Sequence, residues 1–482
     1  MQSVKNKTLK DFGMVISSNI LVLVSNILTG LVVPKLLGVT NYGYYKIFTL
    51  YLGYTALLHF GFVDGILLMH GGEDYGNLDK EKFRRNTKFF AGIQVVISLI
   101  IIIVACIAMK GIYRFIFVML GIDTITTNLT SYYQYVSQCT LRFKELSTRK
   151  VYQAGLRIAF TLLFFMLFQM GQIEVLSASV YIGCLVLINV ILLIWYVVTY
   201  KDITFGKAEN LFANFTEIVV YFKKGIILTI AFQVANLIFN LDRQFVSIFY
   251  DTETYARYSF AYSLISMATT VIGAVSLVLF PNLKRKSEET IIRDFSNNMA
   301  LIALLVFAAH IGYYPLCGFI KWFLPDYAPS LIYLRIIFPG LAISSCISAI
   351  IFTYYKVLNK NTLYFIISCG VLALSAFLNG CANTFFHSPS AISWASVVSL
   401  LAWYLVGELF FVKKYNVKWI KNLIYIVVMS VSFYSISFGI ENAVVGTVVY
   451  TVLFMLISFV FYRKLIFSSI GKFSKKNSNV NC

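Results

Sequence analysis

Long apolar runs recur along the whole chain, and no other feature limits its fold as strongly. Clear examples are residues 93–109, 180–198 and 444–461. A helix needs roughly 20 apolar residues to cross the hydrocarbon core of a bilayer, and runs of this length are typical of membrane spans. Only 13% of the residues are charged, whereas a soluble chain carries about a quarter. The sequence therefore predicts an all-α polytopic membrane protein.

Fourteen segments have about the length that a span requires. The stretches between them are too short to form a catalytic domain. The predicted spans lie near residues 13–36, 44–69, 89–110, 124–142, 151–170, 175–199, 225–249, 256–281, 296–317, 330–355, 362–382, 390–412, 419–438 and 443–462.

Basic residues test this count, because short loops rich in Lys and Arg stay on the cytoplasmic side. With the first residue placed inside, 31 of the 40 Lys and Arg residues fall in segments that remain inside. The polar fourth segment is kept as a span, because removing it would move every later basic loop outside. Both termini are thus predicted to be cytoplasmic. The formal charge of +19 marks the inner membrane edge, so no nucleic-acid partner is expected.

The connection between the first two spans has a counterpart between the seventh and eighth. Tyr42 and Tyr45 align with Tyr255 and Tyr258 at one offset of 213 residues. This offset equals six predicted helices, and internal repeats are common in transporters. The predicted organisation is a six-helix lobe at 1–200, a cytoplasmic linker at 201–224, a second six-helix lobe at 225–415, and two further helices with a basic tail at 416–482.

Four short motifs are spread along the chain. They are PKLLG at 34–38 with Tyr42-Gly43-x-Tyr45, then Leu241-Asp242-Arg243, VLFPNLKR at 278–285, and Asp326-Tyr327-Ala-x-Ser330. Together they resemble the polysaccharide-transport branch of the multidrug/oligosaccharidyl-lipid/polysaccharide exporter (MOP) superfamily, the Wzx-type oligosaccharide flippases. The resemblance implies two lobes around a central cavity in the cytoplasmic (inner) membrane. It also implies export of an undecaprenyl-pyrophosphate-linked glycan by alternating access, with membrane lipids and glycan-assembly proteins as partners.

Three arginines lie at least one helical turn inside predicted spans, where ionisable side chains are costly and are candidates for function. They are Arg157, Arg243 and Arg335. Arginine binds phosphate oxygens through two parallel hydrogen bonds, so the three are candidate ligands of the cargo's pyrophosphate. Arg157 and Arg243 also fit a second interpretation, in which they extend to the membrane interface or form structural ion pairs.

Polar side chains on the seventh and first predicted helices suggest a wet cavity. Those on the seventh recur at helical spacing and share one face, although polar stripes also hold helices together in lipid. Tyrosines of the fourth helix are either sugar contacts or ordinary packing aromatics. The predicted cavity-lining residues are Gln233, Asn236, Asn240, Asn26, Tyr132, Tyr135 and Gln138.

The energy source is predicted to be an ion gradient or the substrate gradient itself, because the sequence has no ATP-binding G-x-x-x-x-G-K-[ST] loop. No cofactor is expected, and an H⁺ or Na⁺ gradient is the candidate. Asp64 and Asp242 are the candidate coupling groups. Alternatively, Asp242 neutralises a neighbouring arginine and Asp64 lies at the inner interface. The histidines show no metal-ligand spacing, so no metal site is expected, and Lys46 and Glu408 are assigned to the membrane interfaces.

Two other functions remain open. An ion-coupled, cation-extruding drug exporter of the same superfamily would need buried carboxylates in the first helix of each lobe, and residues 13–36 contain none. The buried ionisable residues are mostly arginines, which favours an anionic cargo. A membrane-embedded glycan polymerase or ligase would need a large outer loop, whereas the predicted outer loops are a few residues long. We therefore expect a transporter and not an enzyme.

Overall fold

The computed structural model describes residues 2–210, 215–284 and 286–478, and within them it contains no strand. Short 3-10 turns and one π-helical segment, Cys346–Ile351, join some of the α-helices. In chain order the α-helices are α1 Gln2–Leu52, α2 Phe62–His70, α3 Lys80–Ala108, α4 Gly111–Cys139, α5 Phe143–Gln169, α6 Ala178–Thr199, α7 Lys201–Thr204, α8 Phe215–Phe249, α9 Thr252–Lys284, α10 Glu288–Ala309, α11 Tyr313–Phe323, α12 Leu331–Ile337, α13 Gly340–Ser345, α14 Phe352–Val357, α15 Asn361–Phe386, α16 Pro389–Tyr415, α17 Ile420–Gly439 and α18 Ala443–Ser478.

Among the described residues, 12 helical segments are long and apolar enough to cross a membrane. Large apolar side chains stay exposed on them, as at Ile107 (81%) and Val460 (75%), which suits contact with lipid. The all-α polytopic fold is thereby confirmed. The count differs from fourteen in two places. The first two predicted spans run together as Ser18–His59. The predicted eighth span, 256–281, falls on α9, and the side chains of residues 270–278 and 280–282 lie outside the described set.

A break at Gly38 divides α1 into two helical parts. Its backbone angles, φ 65° and ψ 177°, are far from helical values, and glycine adopts them without the penalty that a Cβ would bring. The break lies between the predicted ends at 36 and 44, so it confirms the predicted connection. The second part then continues through a 3-10 turn, Thr55–His59, into α2.

The structure corrects several predicted helix boundaries. The polar fourth segment is a candidate span, as predicted, but α4 begins at Gly111 and not at 124. Helix α8 begins at Phe215, ten residues before the predicted start at 225. The predicted tenth span, 330–355, is divided into α12, α13, the π-helical segment and α14. The start of α8 was missed because the helix continues into polar residues, among them Thr216, Glu217, Lys223 and Lys224, which hydropathy does not assign to a span.

Two compact units make up the chain, Met1–Ser259 and Phe260–Cys482. In the first unit α1 packs on α5, α3 on α4, α4 on α6, and α2 on α8. In the second unit α15 and α12 pack on α16, while α17 and α11 pack on α18. Grouping by contact joins helices that touch and does not test sequence repeats, so the predicted lobe limits stay predictions.

Charged side chains attach the predicted linker to the start of α3 in the first unit. Arg85 is fully buried, and its guanidinium donates to Glu209 at 2.6 Å and to Glu217 at 2.7 Å. Lys80 forms an ion pair of 3.2 Å with Asp202. The linker and the first turns of α8 are thus held against α3 by paired charges.

Candidate substrate-binding site

Two arginines of the first unit lie near two adjacent residues of α1, one of which is itself basic. Arg157 on α5 lies within electrostatic range of Tyr45, and Arg243 on α8 lies within range of Lys46. The Lys46 ammonium is 5.2 Å from the ring centroid of Tyr42 and 5.5 Å from that of Tyr45. The structure therefore brings two of the three predicted phosphate ligands toward one place. It adds Lys46, which sequence reasoning had assigned to the membrane interface.

A buried carboxylate stands beside Arg157. Asp123 on α4 is fully buried, and its carboxylate accepts from Asn189 Nδ2 at 2.9 and 3.1 Å and from Thr126 Oγ1 at 2.5 Å. It lies within electrostatic range of Arg157. Arg157 Nε is buried and has no hydrogen-bond partner in the described part of the chain. Sequence reasoning missed Asp123, because the predicted fourth helix began one residue after it, and the apolar run at 111–122 was the signal for an earlier start.

The polar face predicted on the seventh helix is a series of hydrogen bonds along α8. Asn236 Nδ2 donates to Gln233 Oε1 at 3.4 Å, and Asn240 Nδ2 donates to the Asn236 carbonyl at 2.6 Å. The Arg243 guanidinium then donates to the Asn240 side-chain oxygen and to the Phe239 carbonyl. The spacing predicted correctly that these side chains share a face. The series ends at the basic group, so it links amides to a cation.

Asp242 faces a different neighbour from Arg243. It is 2% exposed, and its carboxylate accepts from the Tyr258 hydroxyl at 3.0 Å and from the Arg243 backbone amide at 2.7 Å. The tyrosine comes from the start of α9. Asp242 is therefore held by hydrogen bonds within the outer part of the first unit.

Asp64 on α2 forms a second polar group, beside the N-terminal half of α8. It is 6% exposed, and the Thr229 hydroxyl donates to its Oδ2 atom. His59 Nε2 lies 4.0 Å from the same oxygen, and Tyr135 is within interaction range. Thr229 and Asp242 are about 20 Å apart at the helical rise of α8. The two predicted coupling carboxylates thus occupy different depths.

Three further predicted cavity residues lie on α4 and α1. Tyr132 is fully buried, with its ring centroid 5.7 Å from that of Phe90, and its hydroxyl shares a 2.9 Å hydrogen bond with Thr87. This is the packing arrangement that the sequence left as an alternative. Asn26 is exposed on α1, and Gln138 is half-buried near the end of α4.

Arg335 belongs to the second unit. It is half-buried on α12, and its guanidinium carbon lies 4.8 Å from the ring centroid of Phe438. It lines a cavity of about 230 Å³ together with Tyr313, Lys321 and Glu441. Its surroundings therefore mix cations, a carboxylate and aromatic rings.

Helix α8 is in close contact with the loop before α2 within the first unit. A Cβ atom added to Gly225 would lie 1.8 Å from the Gly61 carbonyl oxygen, so the two segments touch backbone to backbone. Beyond the C-terminal end of α8, at the start of α9, Glu253 accepts from the Thr40 hydroxyl at 3.0 Å. Arg243 lies about 27 Å from Gly225 along α8.

The second unit contains a buried carboxylate on α16. Glu408 is 1% exposed. Neither of its carboxylate oxygens, nor the Tyr404 hydroxyl one turn earlier, has a hydrogen-bond partner among the described residues. Its predicted place near the inner membrane interface stays a prediction, because burial within the protein is a separate property from depth in the membrane.

No protein-family model matches the chain, and no curated protein matches it significantly by sequence. Solved structures are similar in fold. The lipid II flippase MurJ, in an inward closed conformation, has a TM-score of 0.70 at 14% identity, covering 95% of this chain and 100% of that chain. An inward-facing multidrug resistance MATE family transporter of the MOP superfamily has a TM-score of 0.60 at 11% identity, covering 85% and 95%. A eukaryotic MATE transporter, AtDTX14, has a TM-score of 0.51 at 13% identity, covering 88% and 99%. The chain therefore has the fold of the MOP-superfamily transporters.

Proposed function

We propose that this protein translocates a polyprenyl-pyrophosphate-linked oligosaccharide across the cytoplasmic membrane, for the biosynthesis of a cell-surface polysaccharide. The convergence of Arg157, Lys46 and Arg243 on one region of the first unit carries the proposal. Cations at membrane depth are energetically costly, so those found there are candidates for function. A pyrophosphate offers the charge and the oxygen geometry that arginine binds best.

The groups around these cations suit the rest of such a cargo. Tyr45 is partly exposed and carries a flat ring with a hydroxyl, and the amides of Asn236 and Asn240 continue from Arg243 along α8. Sugars are bound by surfaces of this kind. Arg335 stays a candidate ligand of the head-group phosphate, and the polyprenyl tail is proposed to stay in the bilayer.

The fold likeness supports a transporter and agrees with a lipid-linked cargo, since one similar structure is a lipid II flippase. Glycan-assembly proteins are the proposed partners. An H⁺ or Na⁺ gradient is the proposed energy source, with Asp64 or Asp242 as the coupling carboxylate. Asp64 is the better placed, because His59 and Thr229 surround it with groups that can exchange a proton or support a cation.

The decisive experiment deletes the gene and measures polyprenyl-linked sugars on the cytoplasmic leaflet. We expect these intermediates to accumulate and surface glycan to disappear. Complementation with Arg157→Ala or Arg243→Ala is expected to leave the defect, at normal protein levels in the membrane. Arg114→Ala is the matched control, because Arg114 is exposed at the start of α4, and it is expected to restore export. Full export by both site variants would refute the binding assignment.

A drug exporter is the second candidate, and the likeness to MATE transporters favours it. That function predicts a different result from the same deletion strain. Polyprenyl-linked sugars would stay at the wild-type level, while retention of cationic dyes would rise.

A further inference from the structure

A basic cavity lies in the second unit at the ends of α10, α17 and α18 that are predicted to be cytoplasmic. Its volume is about 530 Å³. The polar lining residues are Ser296, Asn297, Lys421, Asn422, Arg463 and Lys464. Helix α18 is interrupted beside it, where Tyr462 has φ −131° and ψ 23°. The interruption turns the backbone just before Arg463 and Lys464.

A buried hydrogen-bond network holds the walls of this cavity together. Asn422 is 1% exposed, and its Nδ2 atom donates to the Ser296 carbonyl at 2.9 Å and to the Ser296 hydroxyl at 3.2 Å. Its Oδ1 atom accepts from the Tyr462 hydroxyl at 2.7 Å. One amide thus joins all three helices, so the cavity is formed before any ligand arrives.

The cavity carries three positive charges without a carboxylate of its own. None of Lys421, Arg463 and Lys464 forms an ion pair with a described residue. The nearest acidic group along α10, Asp294, is already paired with Lys286 at 2.6 Å. The Lys421 ammonium lies 4.9 Å from the Tyr462 ring centroid, which positions the charge but does not neutralise it. An anion with several oxygens is the complementary ligand, and phosphate fits arginine and lysine together.

The surface next to the cavity indicates where this phosphate comes from. Val460, in the cavity wall, is 75% exposed, and Leu456, one turn earlier on α18, is 59% exposed. Ile424 on α17 is 46% exposed. A phosphate that carries acyl chains fills the basic cavity and covers this apolar surface, whereas free phosphate leaves the apolar surface uncovered. Basic pockets between helices on the cytoplasmic side are suited to anionic lipid head groups.

We propose that this cavity binds the head group of an anionic membrane phospholipid, with its acyl chains lying along α17 and α18. The site is separate from the proposed cargo site in the first unit. It does not depend on what the protein transports.

The test compares two double variants of the full-length purified protein. Lys421→Gln with Arg463→Gln removes two charges from the cavity. Lys413→Gln with Lys414→Gln removes two exposed charges from the end of α16 and is the matched control. Binding of phosphatidylglycerol and of phosphatidylcholine with the same acyl chains is measured by native mass spectrometry. The melting temperature of each variant verifies that it is folded.

We expect the cavity variant to bind phosphatidylglycerol about 30-fold more weakly than the wild type, since each cation near an anionic surface contributes about a factor of five. The control variant is expected to change by less than about twofold, and phosphatidylcholine binding is expected to stay the same in both. Equal losses in the two variants, or an unchanged affinity in the cavity variant, would overturn the proposal. Displacement of the phospholipid by inorganic phosphate, or by polyprenyl pyrophosphate at equal concentration, would also overturn it.

Discussion

At the scale of single residues, two buried carboxylates differ in whether they accept hydrogen bonds. Asp123 is fully buried and accepts hydrogen bonds from Asn189 and Thr126. Glu408 is 1% exposed and accepts none from the described residues. Burying an unpaired charge is expensive, so Glu408 lowers stability unless it binds a proton or a cation.

The two therefore respond differently to removal of the charge. Asp123→Asn is expected to lower the free energy of unfolding by about 2 kcal/mol, because two donors lose a charged acceptor. Glu408→Gln is expected to leave the melting temperature unchanged or to raise it, because the variant keeps the shape and removes an uncompensated charge. Thermal denaturation of the purified proteins measures both. If Glu408→Gln loses as much stability as Asp123→Asn, then Glu408 has a stabilising partner and the interpretation is wrong.

At the scale of elements, the contact between α2 and α8 depends on glycines. A Cβ on Gly225 would meet the Gly61 carbonyl oxygen at 1.8 Å, and a Cβ on Gly65 would meet the Tyr221 carbonyl oxygen at 2.1 Å. Backbone atoms cannot move aside as a flexible side chain can. Gly225→Ala should therefore force the two helices apart.

We expect Gly225→Ala to expose the cytoplasmic end of this contact. The measurement is labelling of a Thr229→Cys reporter by a membrane-impermeant maleimide in inside-out vesicles, in a background without other reactive cysteines. Gly155→Ala on α5 is the matched control, because nothing lies within 4 Å of the Cβ that it adds. Labelling should rise several-fold with Gly225→Ala alone. Equal labelling in both variants would mean that the contact tolerates the methyl group.

The linker segment α7 is held by Asp202, which accepts from the Tyr75 hydroxyl at 2.5 Å and pairs with Lys80 at 3.2 Å. Burial acts to raise the Asp202 pKa, but the hydrogen bonds from Tyr75 and Lys80 outweigh it and bring the pKa below its ordinary value. A lowered carboxyl pKa stabilises the folded state at pH values above the pKa of the unfolded chain, about 3.9. This stabilisation is lost as the pH falls through the pKa of the folded protein.

Asp202→Asn is therefore expected to lower the melting temperature slightly, by an amount that is constant between about pH 8 and 5 and disappears below about pH 4. The effect is small, within about 1 kcal/mol, because the pair is partly exposed. Asp74→Asn is the control, since Asp74 is exposed in the connection between α2 and α3. A difference that grows on acidification would contradict the sign of the pKa shift.

At the scale of the whole chain, the basic loops predict which ends of the helices face the cytoplasm. Glu441, between α17 and α18, should then lie outside, and Lys418, between α16 and α17, should lie inside; both are exposed. Cysteines placed at these two positions test this in intact cells. A membrane-impermeant reagent should label Glu441→Cys and not Lys418→Cys. The reverse pattern would invert the orientation of this part of the chain.

Much of the fold was predictable, because the cost of moving polar backbone and charge into lipid determines the hydropathy of the spans and the charge of the loops. The polar face of α8 was predictable for a similar reason, since helical spacing fixes which side chains share a side. Burial of a side chain within the protein was not predictable from the sequence. The surroundings of Lys46, Asp123 and Glu408 are set by neighbouring helices, so the sequence alone does not show them. Tyr132 shows the same limit, since a tyrosine near a predicted cavity packs as readily as it binds.

The connection at Gly38 has a consequence for the origin of the chain. Thr40 touches Glu253, and Gly43 faces Ala256, and the members of each pair are separated by 213 residues, the offset of the tyrosine repeat. Equivalent positions that meet each other are what a two-fold axis produces in a homodimer. If the predicted repeat reflects a duplicated half, this loop is where the two halves would have met as separate copies. The Gly43 position then matters for close approach, since a Cβ there would lie 2.5 Å from the Thr252 carbonyl oxygen and 3.3 Å from the Ala256 Cβ.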